Sequence, residues 1–217
     1  MPARVKICGL STPEAMESAL AARADLVGLV FFPPSPRNVS VAEAVPLADF
    51  ARGFSAIVAL VVDADDALID RIVGEVNPDM LQLHGTEPPV RVADIRARWG
   101  KPVMKAIKVT TSSDAAVALA YKRAADLILF DAKPPKGAIL PGGNGVAFDW
   151  AVLSDVREHV PFMLSGGLTP DNVAAAIAAT GATVVDVSSG VESSPGVKNP
   201  DLIRRFIRAA HSARLQG

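Results

Sequence analysis

The sequence predicts a single parallel (β/α)8 barrel occupying residues 1–217, and three observations carry the prediction. Eight short apolar runs rich in Val, Leu and Ile recur along the chain, and amphipathic segments separate them. The chain is 50% hydrophobic but only 5% aromatic, so its core is aliphatic, as suits buried parallel strands under alanine-rich helices. Small and polar residues then cluster just after the apolar runs. Those are the carboxyl ends of strands, where parallel α/β proteins bind ligands.

The apolar runs are 5–7, 26–31, 56–62, 80–83, 103–107, 127–130, 162–164 and 184–187. The first helix is signalled by Ser11-Thr12 before Pro13 and Glu14, a cap followed by a proline and an acid in the opening turn. Further helices are expected over 41–51, 64–73, 89–99, 112–122, 150–156, 170–179 and 200–214. Thr169-Pro170-Asp171 repeats the first opening at the seventh helix. A doubly wound open sheet is the competing architecture. It generally has fewer strands and often a glycine-rich fingerprint after the first, which Cys8-Gly9-Leu10-Ser11 does not supply. Two loops exceed what a minimal barrel needs, 32–40 with Pro33-Pro34-Ser35-Pro36-Arg37, and 132–147 with Gly142-Gly143-Asn144-Gly145. Long loops on the catalytic face usually belong to the active site.

Composition excludes several classes of function. A formal net charge of −1 lacks the basic footprint of a nucleic-acid binder. One cysteine permits no intrachain disulfide and no multi-cysteine metal site, and His84, His159 and His211 lack zinc-motif spacing, so no metal is expected. No apolar run approaches the roughly 18 residues of a membrane span. Met1-Pro2-Ala3-Arg4 runs straight into the first strand without room for a signal peptide, and a cytoplasmic location is expected.

The strand ends carry the chemistry. Strand 1 ends in Cys8, strand 3 in Asp63, strand 4 in His84 after Gln82, strand 6 in Asp131, and strand 7 in Ser165-Gly166-Gly167. Strand 8 ends in Asp186 and Ser188-Ser189-Gly190. Strand alternation puts Lys6 with Cys8, Gln82 with His84, and Asp186 with Ser188, each pair on one face. If Cys8 points inward, Lys6 lies one layer below and needs an anion, either Asp131 or Asp186. Lys6 then either lowers the thiol's pKa or merely forms an ion pair in the barrel floor. A free cysteine is often only core filler. Here Cys8 and Asp131 lie far enough around the ring to face each other, as a general base and general acid should across a small substrate. Aspartate commonly caps a helix, but Lys133-Pro134-Pro135 leaves no immediate helix to cap. The two glycine–serine loops after strands 7 and 8 stand where barrels commonly bind phosphate through backbone N–H groups. A guanidinium at Arg37 beside the mouth suits a carboxylate, although most arginines are simply solvated.

Taken in order, these segments resemble the phosphoribosylanthranilate isomerase family of tryptophan biosynthesis over essentially the whole chain. The resemblance rests on Val5-Lys6-Ile7-Cys8-Gly9-Leu10, Phe32 with Ser35-Pro36-Arg37-Asn38-Val39, and Leu81-Gln82-Leu83-His84-Gly85. It continues through Leu129-Phe130-Asp131, Pro141-Gly142-Gly143-Asn144-Gly145 with Phe148-Asp149-Trp150, Ser165-Gly166-Gly167-Leu168, and Asp186-Val187-Ser188-Ser189-Gly190-Val191-Glu192. Asn144 departs from the threonine common in the family. The resemblance implies an Amadori rearrangement of an aminoaldose to an aminoketose, with Asp131 as acid, Cys8 as base and Arg37 at the anthranilate carboxylate. It also implies phosphate held by the loops of Gly166 and Gly167 and of Ser188, Ser189 and Gly190, while Lys6, Gln82, His84 and Asp186 are candidate supporting residues from their strand-end positions. The implied chemistry needs no cofactor, and the partner is a small phosphorylated substrate met by a monomer or homodimer. Two rival expectations remain, another phosphosugar barrel enzyme (Lys105 and Lys108 could begin the lysine set of a synthase) and a non-catalytic phosphometabolite-binding barrel.

Overall fold

The computed structural model describes residues 2–133, 142 and 148–213. Eight strands close into a barrel in sequence order: β1 Arg4–Cys8, β2 Leu26–Phe31, β3 Ala56–Val61, β4 Met80–Leu83, β5 Val103–Val109, β6 Leu127–Ala132, β7 Phe162–Leu164 and β8 Val184–Val187. All neighbours pair in parallel, and β1 returns to β8 through Lys6↔Asp186 and Ile7↔Val187 to complete the ring. The open-sheet alternative is thereby excluded. Helices α1 Pro13–Ala21, α2 Val41–Ala51, α3 Asp66–Arg71, α4 Pro89–Trp99, α5 Ser112–Ala116, α6 Val173–Thr180 and α7 Pro200–Ser212 surround it. Two short strands, β9 Glu192–Ser194 and β10 Val197–Lys198, form an antiparallel hairpin after β8 that the sequence reading did not anticipate.

Alternation along the strands separates the core shared with the helices from two clusters inside the barrel. Ile7, Val27, Leu29, Ile57, Leu81, Phe130 and Val185 belong to the large cluster shared with the helices. Leu26, Val58, Met104, Ala106, Leu129 and Met163 fill the barrel interior, and Cys8, Val30 and Leu60 cluster above them near the mouth. The floor is pinned by a repeated device. Asp25, Asp79 and Asp126 stand just before β2, β4 and β6, and accept from the backbone N–H of Val5, Ile57 and Val103 at 2.8, 2.7 and 2.8 Å. Each ties the entry of one strand to the first residues of its neighbour.

Caps explain the helix starts. Thr12 accepts from Ala15 N–H ahead of Pro13, and Ser40 with Glu43 forms a reciprocal capping box. Several expected helices differ in detail. The helix expected over 64–73 begins at Asp66, because Asp65 takes the cap, and continues as a π-helical turn over Ile72–Val76. Ser112–Ala116 tightens into a 3-10 helix at Val117–Tyr121, and 150–156 contributes only a 3-10 turn, Trp150–Leu153. The seventh helix opens at Val173, not Pro170: Asn172 Oδ1 accepts from Thr169 N–H and turns Pro170 and Asp171 into a connection ahead of it.

Candidate active site

One cavity, with about 780 Å³ of empty space open to solvent, lies at the carboxyl ends of the barrel strands. Cys8, Gln82, His84, Asp131, Asp186, Ser165, Gly166, Gly167, Ser188, Ser189, Gly190 and Arg37 all line it. Lys6 lies beneath the wall, fully buried. Asp63 and Lys105 do not line it. Asp63 accepts from the N–H and hydroxyl of Thr86, and Lys105 is bound to Glu87 Oε2 at 2.9 Å and to Gly85 O at 2.8 Å. A synthase-like lysine at Lys105 is therefore committed elsewhere.

Lys6 resolves its partner in favour of Asp186, with Nζ to Oδ1 at 2.8 Å, while Ser165 Oγ donates to Asp186 Oδ2 at 3.2 Å. Burial presses the Lys6 ammonium toward neutrality, but the charges of Asp186 and Cys8 outweigh it and its pKa is raised. The Cys8 thiol is pushed up as well. Burial is the main cause, and Asp186 adds to it, while Lys6 and Lys198 pull the other way without prevailing. The expected lowering by Lys6 is thus present but is not the net result, because desolvating a thiolate costs more than one paired lysine returns. Room for this stack comes from Gly28 on β2, where a Cβ would stand 3.0 Å from Cys8 Sγ and 3.1 Å from Lys6 Nζ.

On another part of the wall, Asp131 is nearly buried at the end of β6. Its Oδ1 accepts from Ala132 N–H at 3.0 Å and its Oδ2 lies 3.2 Å from His84 Nε2. Gln82 Nε2 stands 3.0 Å from His84 Nδ1. Gly142 closes over this group, since a Cβ there would meet His84 Nε2 at 2.6 Å and Asp131 Oδ2 at 2.7 Å. Only a residue without a side chain fits over the pair. Asn144 and the rest of that motif lie outside the described residues.

The loops after β7 and β8 carry the small residues. Gly166 and Gly167 have φ of +88° and +63°, conformations that favour glycine, and Ser189–Val191 form a 3-10 turn whose first N–H groups lack intrahelical partners. Beside them stands a charged cluster that sequence reasoning missed. Arg37 Nε and Nη2 each donate to a carboxylate oxygen of Glu192 at 2.8 Å, and Lys198 Nζ reaches Glu192 Oε1 at 2.6 Å and Ser188 O at 3.0 Å. Burial favours a neutral Glu192, but Arg37 and Lys198 overcome it and its pKa is lowered. Burial also lowers Lys198, with Glu192 opposing. Arg37 is nearly buried here, so it is not the solvated surface arginine that its loop context alone suggested. Glu192 had a signal within the strand 8 motif, whereas nothing local marks Lys198, which arrives through the hairpin. Val30, Phe32, Leu60 and Val62 give the cavity an apolar wall. Among the described residues no group of three His, Cys, Asp or Glu side chains could hold a metal ion, and no helix is long and apolar enough to cross a membrane.

A parallel barrel with a thiol, a carboxyl and an imidazole around one cavity, rimmed by glycine–serine loops, defines the class of barrel enzymes that act on small anionic substrates by acid–base chemistry. The family model for N-(5'phosphoribosyl)anthranilate (PRA) isomerase matches residues 5–209. The N-(5'-phosphoribosyl)anthranilate isomerase of Rhodopseudomonas palustris (strain BisA53) is 58% identical over 212 residues, covering 98% of this chain and 97% of that protein. Its counterpart in Paramagnetospirillum magneticum is 54% identical, covering 99% and 100%. The crystal structure of the Thermotoga maritima phosphoribosyl anthranilate isomerase superposes with a TM-score of 0.87 at 36% identity, covering 96% of this chain and 98% of that one. A phosphoribosyl anthranilate isomerase in complex with reduced 1-(o-carboxyphenylamino)-1-deoxyribulose 5-phosphate superposes with a TM-score of 0.84 at 34% identity, covering 96% and 98%. The chain belongs to the N-(5'-phosphoribosyl)anthranilate isomerase family, aldose–ketose isomerases of tryptophan biosynthesis.

Proposed function

We propose that Cys8 and Asp131 are the base and acid of this isomerisation. The observation that carries the reading is that both line one cavity that also holds an apolar wall, Arg37 and two small-residue loops. Asp131 gives its proton to the ribose ring oxygen as the C1–O bond breaks, and the nitrogen lone pair forms the Schiff base. The Cys8 thiolate takes the proton from C2, and the C–H electrons form the C1=C2 bond of an enolamine. Ketonisation then returns a proton to C1 and removes one from the C2 hydroxyl. Arg37 and the apolar wall suit the aromatic carboxylate. The backbone N–H groups of Gly166, Gly167, Ser189 and Gly190, with the Ser188 hydroxyl, suit the phosphate. Holding both ends of the substrate places the sugar between acid and base, which can supply much of the rate enhancement. The enzyme works as a monomer or homodimer in the cytoplasm, where a phosphorylated metabolite that cannot cross membranes is held.

The test is turnover of freshly made N-(5'-phosphoribosyl)anthranilate by Cys8→Ser and Asp131→Asn. Each should lose about 10²–10⁴ in kcat with KM little changed, the range a positioned proton-transfer group contributes. Near-normal turnover in either variant removes that residue from the mechanism.

A further inference from the structure

Behind Asp131 stands a pair that the two-residue scheme leaves unused. Gln82 is fully buried, and its side-chain Nε2 lies 3.0 Å from His84 Nδ1. With the amide in this orientation its nitrogen donates to Nδ1, and the imidazole tautomer that fits carries its proton on Nε2. That nitrogen faces Asp131 Oδ2 at 3.2 Å. Gln82 Oε1, meanwhile, is buried with no hydrogen-bond partner among the described residues. Buried amide oxygens are normally paired.

We propose that Gln82 and His84 are positioning residues for the acid: Gln82 selects the His84 tautomer that carries the proton on Nε2, and this N–H holds Asp131 by Oδ2. The bond assigns the two carboxyl oxygens different roles. Oδ2 accepts from His84 throughout, and the transferable proton resides on Oδ1. When the O–H bond at Oδ1 breaks and an O–H bond forms at the sugar ring oxygen, the charge left on the carboxylate is met by two N–H groups already in place, Ala132 N–H at Oδ1 and His84 Nε2 at Oδ2. Such donors stabilise the transition state without reorganising. Gly142, packed against His84 Nε2 and Asp131 Oδ2, keeps larger groups out of this contact.

The inference rests on Asp131 being the acid, and the experiment separates the two. Nitrogen-15 chemical shifts of the three histidines distinguish the tautomers directly, without any variant. His84 should show a protonated Nε2 and an unprotonated Nδ1 in the wild-type enzyme. Gln82→Glu replaces the donor by an acceptor of the same shape. It should put a proton on Nδ1 and lower kcat roughly tenfold or more, a loss bounded above by the 10²–10⁴ that the positioned proton transfer itself contributes, with KM retained. His84→Gln keeps an N–H near the place of Nε2 and should retain more turnover than His84→Phe, whereas a space-filling role predicts the reverse. The inference is overturned by a wild-type His84 protonated on Nδ1, by full kcat in Gln82→Glu, or by His84→Phe matching His84→Gln, in each case with Asp131→Asn inactive. An active Asp131→Asn overturns the acid assignment itself.

Discussion

At the scale of single residues, the site sets opposed charges on buried side chains. Cys8 sits above the Lys6–Asp186 pair and near Lys198, so its thiol is tuned by two cations and one anion against a dominant burial cost. Because the net direction is upward, the thiolate fraction grows as pH rises through and beyond the ordinary thiol range. kcat/KM should therefore climb with pH on the alkaline side rather than level off near neutrality, in a pH profile of the purified enzyme. Lys198→Gln removes one of the cations that lower the thiol, and should move that limb to higher pH. A limb that stays in place shows that Lys198 acts on Glu192 and Ser188 alone. Cys8, Asp131 and the two loops were legible as residue types at strand ends. The lysine at 198 was not, because its proximity to Cys8 is a product of the hairpin and leaves no trace in spacing.

At the scale of elements, the two ends of the barrel divide stability from chemistry. The three aspartates that enter β2, β4 and β6 bond to strand starts at the floor, and none of them lines the active-site cavity. Asp25→Ala, Asp79→Ala and Asp126→Ala should each destabilise the protein by about 1–3 kcal/mol in denaturant melts while leaving kcat unchanged, since each strands a backbone donor. The β9–β10 hairpin does the opposite work, at the mouth. Glu192 is held below its ordinary pKa by Arg37 and Lys198, so its stabilisation is complete above the usual glutamate value and is lost as pH falls through the lowered one. Stability measured against pH should therefore drop across that acidic window, and Glu192→Gln should flatten the drop. The helix boundaries show where local signals reach their limit. Thr169-Pro170-Asp171 has the composition of a helix start, yet Asn172 folds back onto Thr169 and moves the start to Val173. A cap motif specifies that a helix begins nearby, and the side-chain bond that forms decides where.

For the whole molecule, closure is uneven around the ring. β2–β3 and β5–β6 are joined over six residue pairs each, while β7 meets β8 through the single pair Leu164↔Val185. Amide exchange in native conditions should be slowest in β2, β3, β5 and β6 and fastest in β7, because local opening follows the density of pairing. Uniform protection around the ring would show that the helices, rather than the ladders, set the opening energy. The weak seam borders Ser165 and Gly166, so the loop suited to phosphate hangs on the strand with the least pairing.

Strand number, the aliphatic core and the inward set of polar residues were determined by sequence alone. Each follows from periodicity and from side-chain chemistry, which operate over a few residues. Lys6 with Cys8, and Gln82 with His84, share a face because alternate residues on a strand must. Only the tertiary structure decided which anion pairs with Lys6, that Asp186 rather than Asp131 stands there, and that Asp131 meets His84 instead. It also decided the direction of the Cys8 shift and brought Glu192 and Lys198 to Arg37. These depend on which strands become neighbours when the ring closes and on how much water is excluded inside it. Both are properties of the assembled barrel, and no local pattern encodes them.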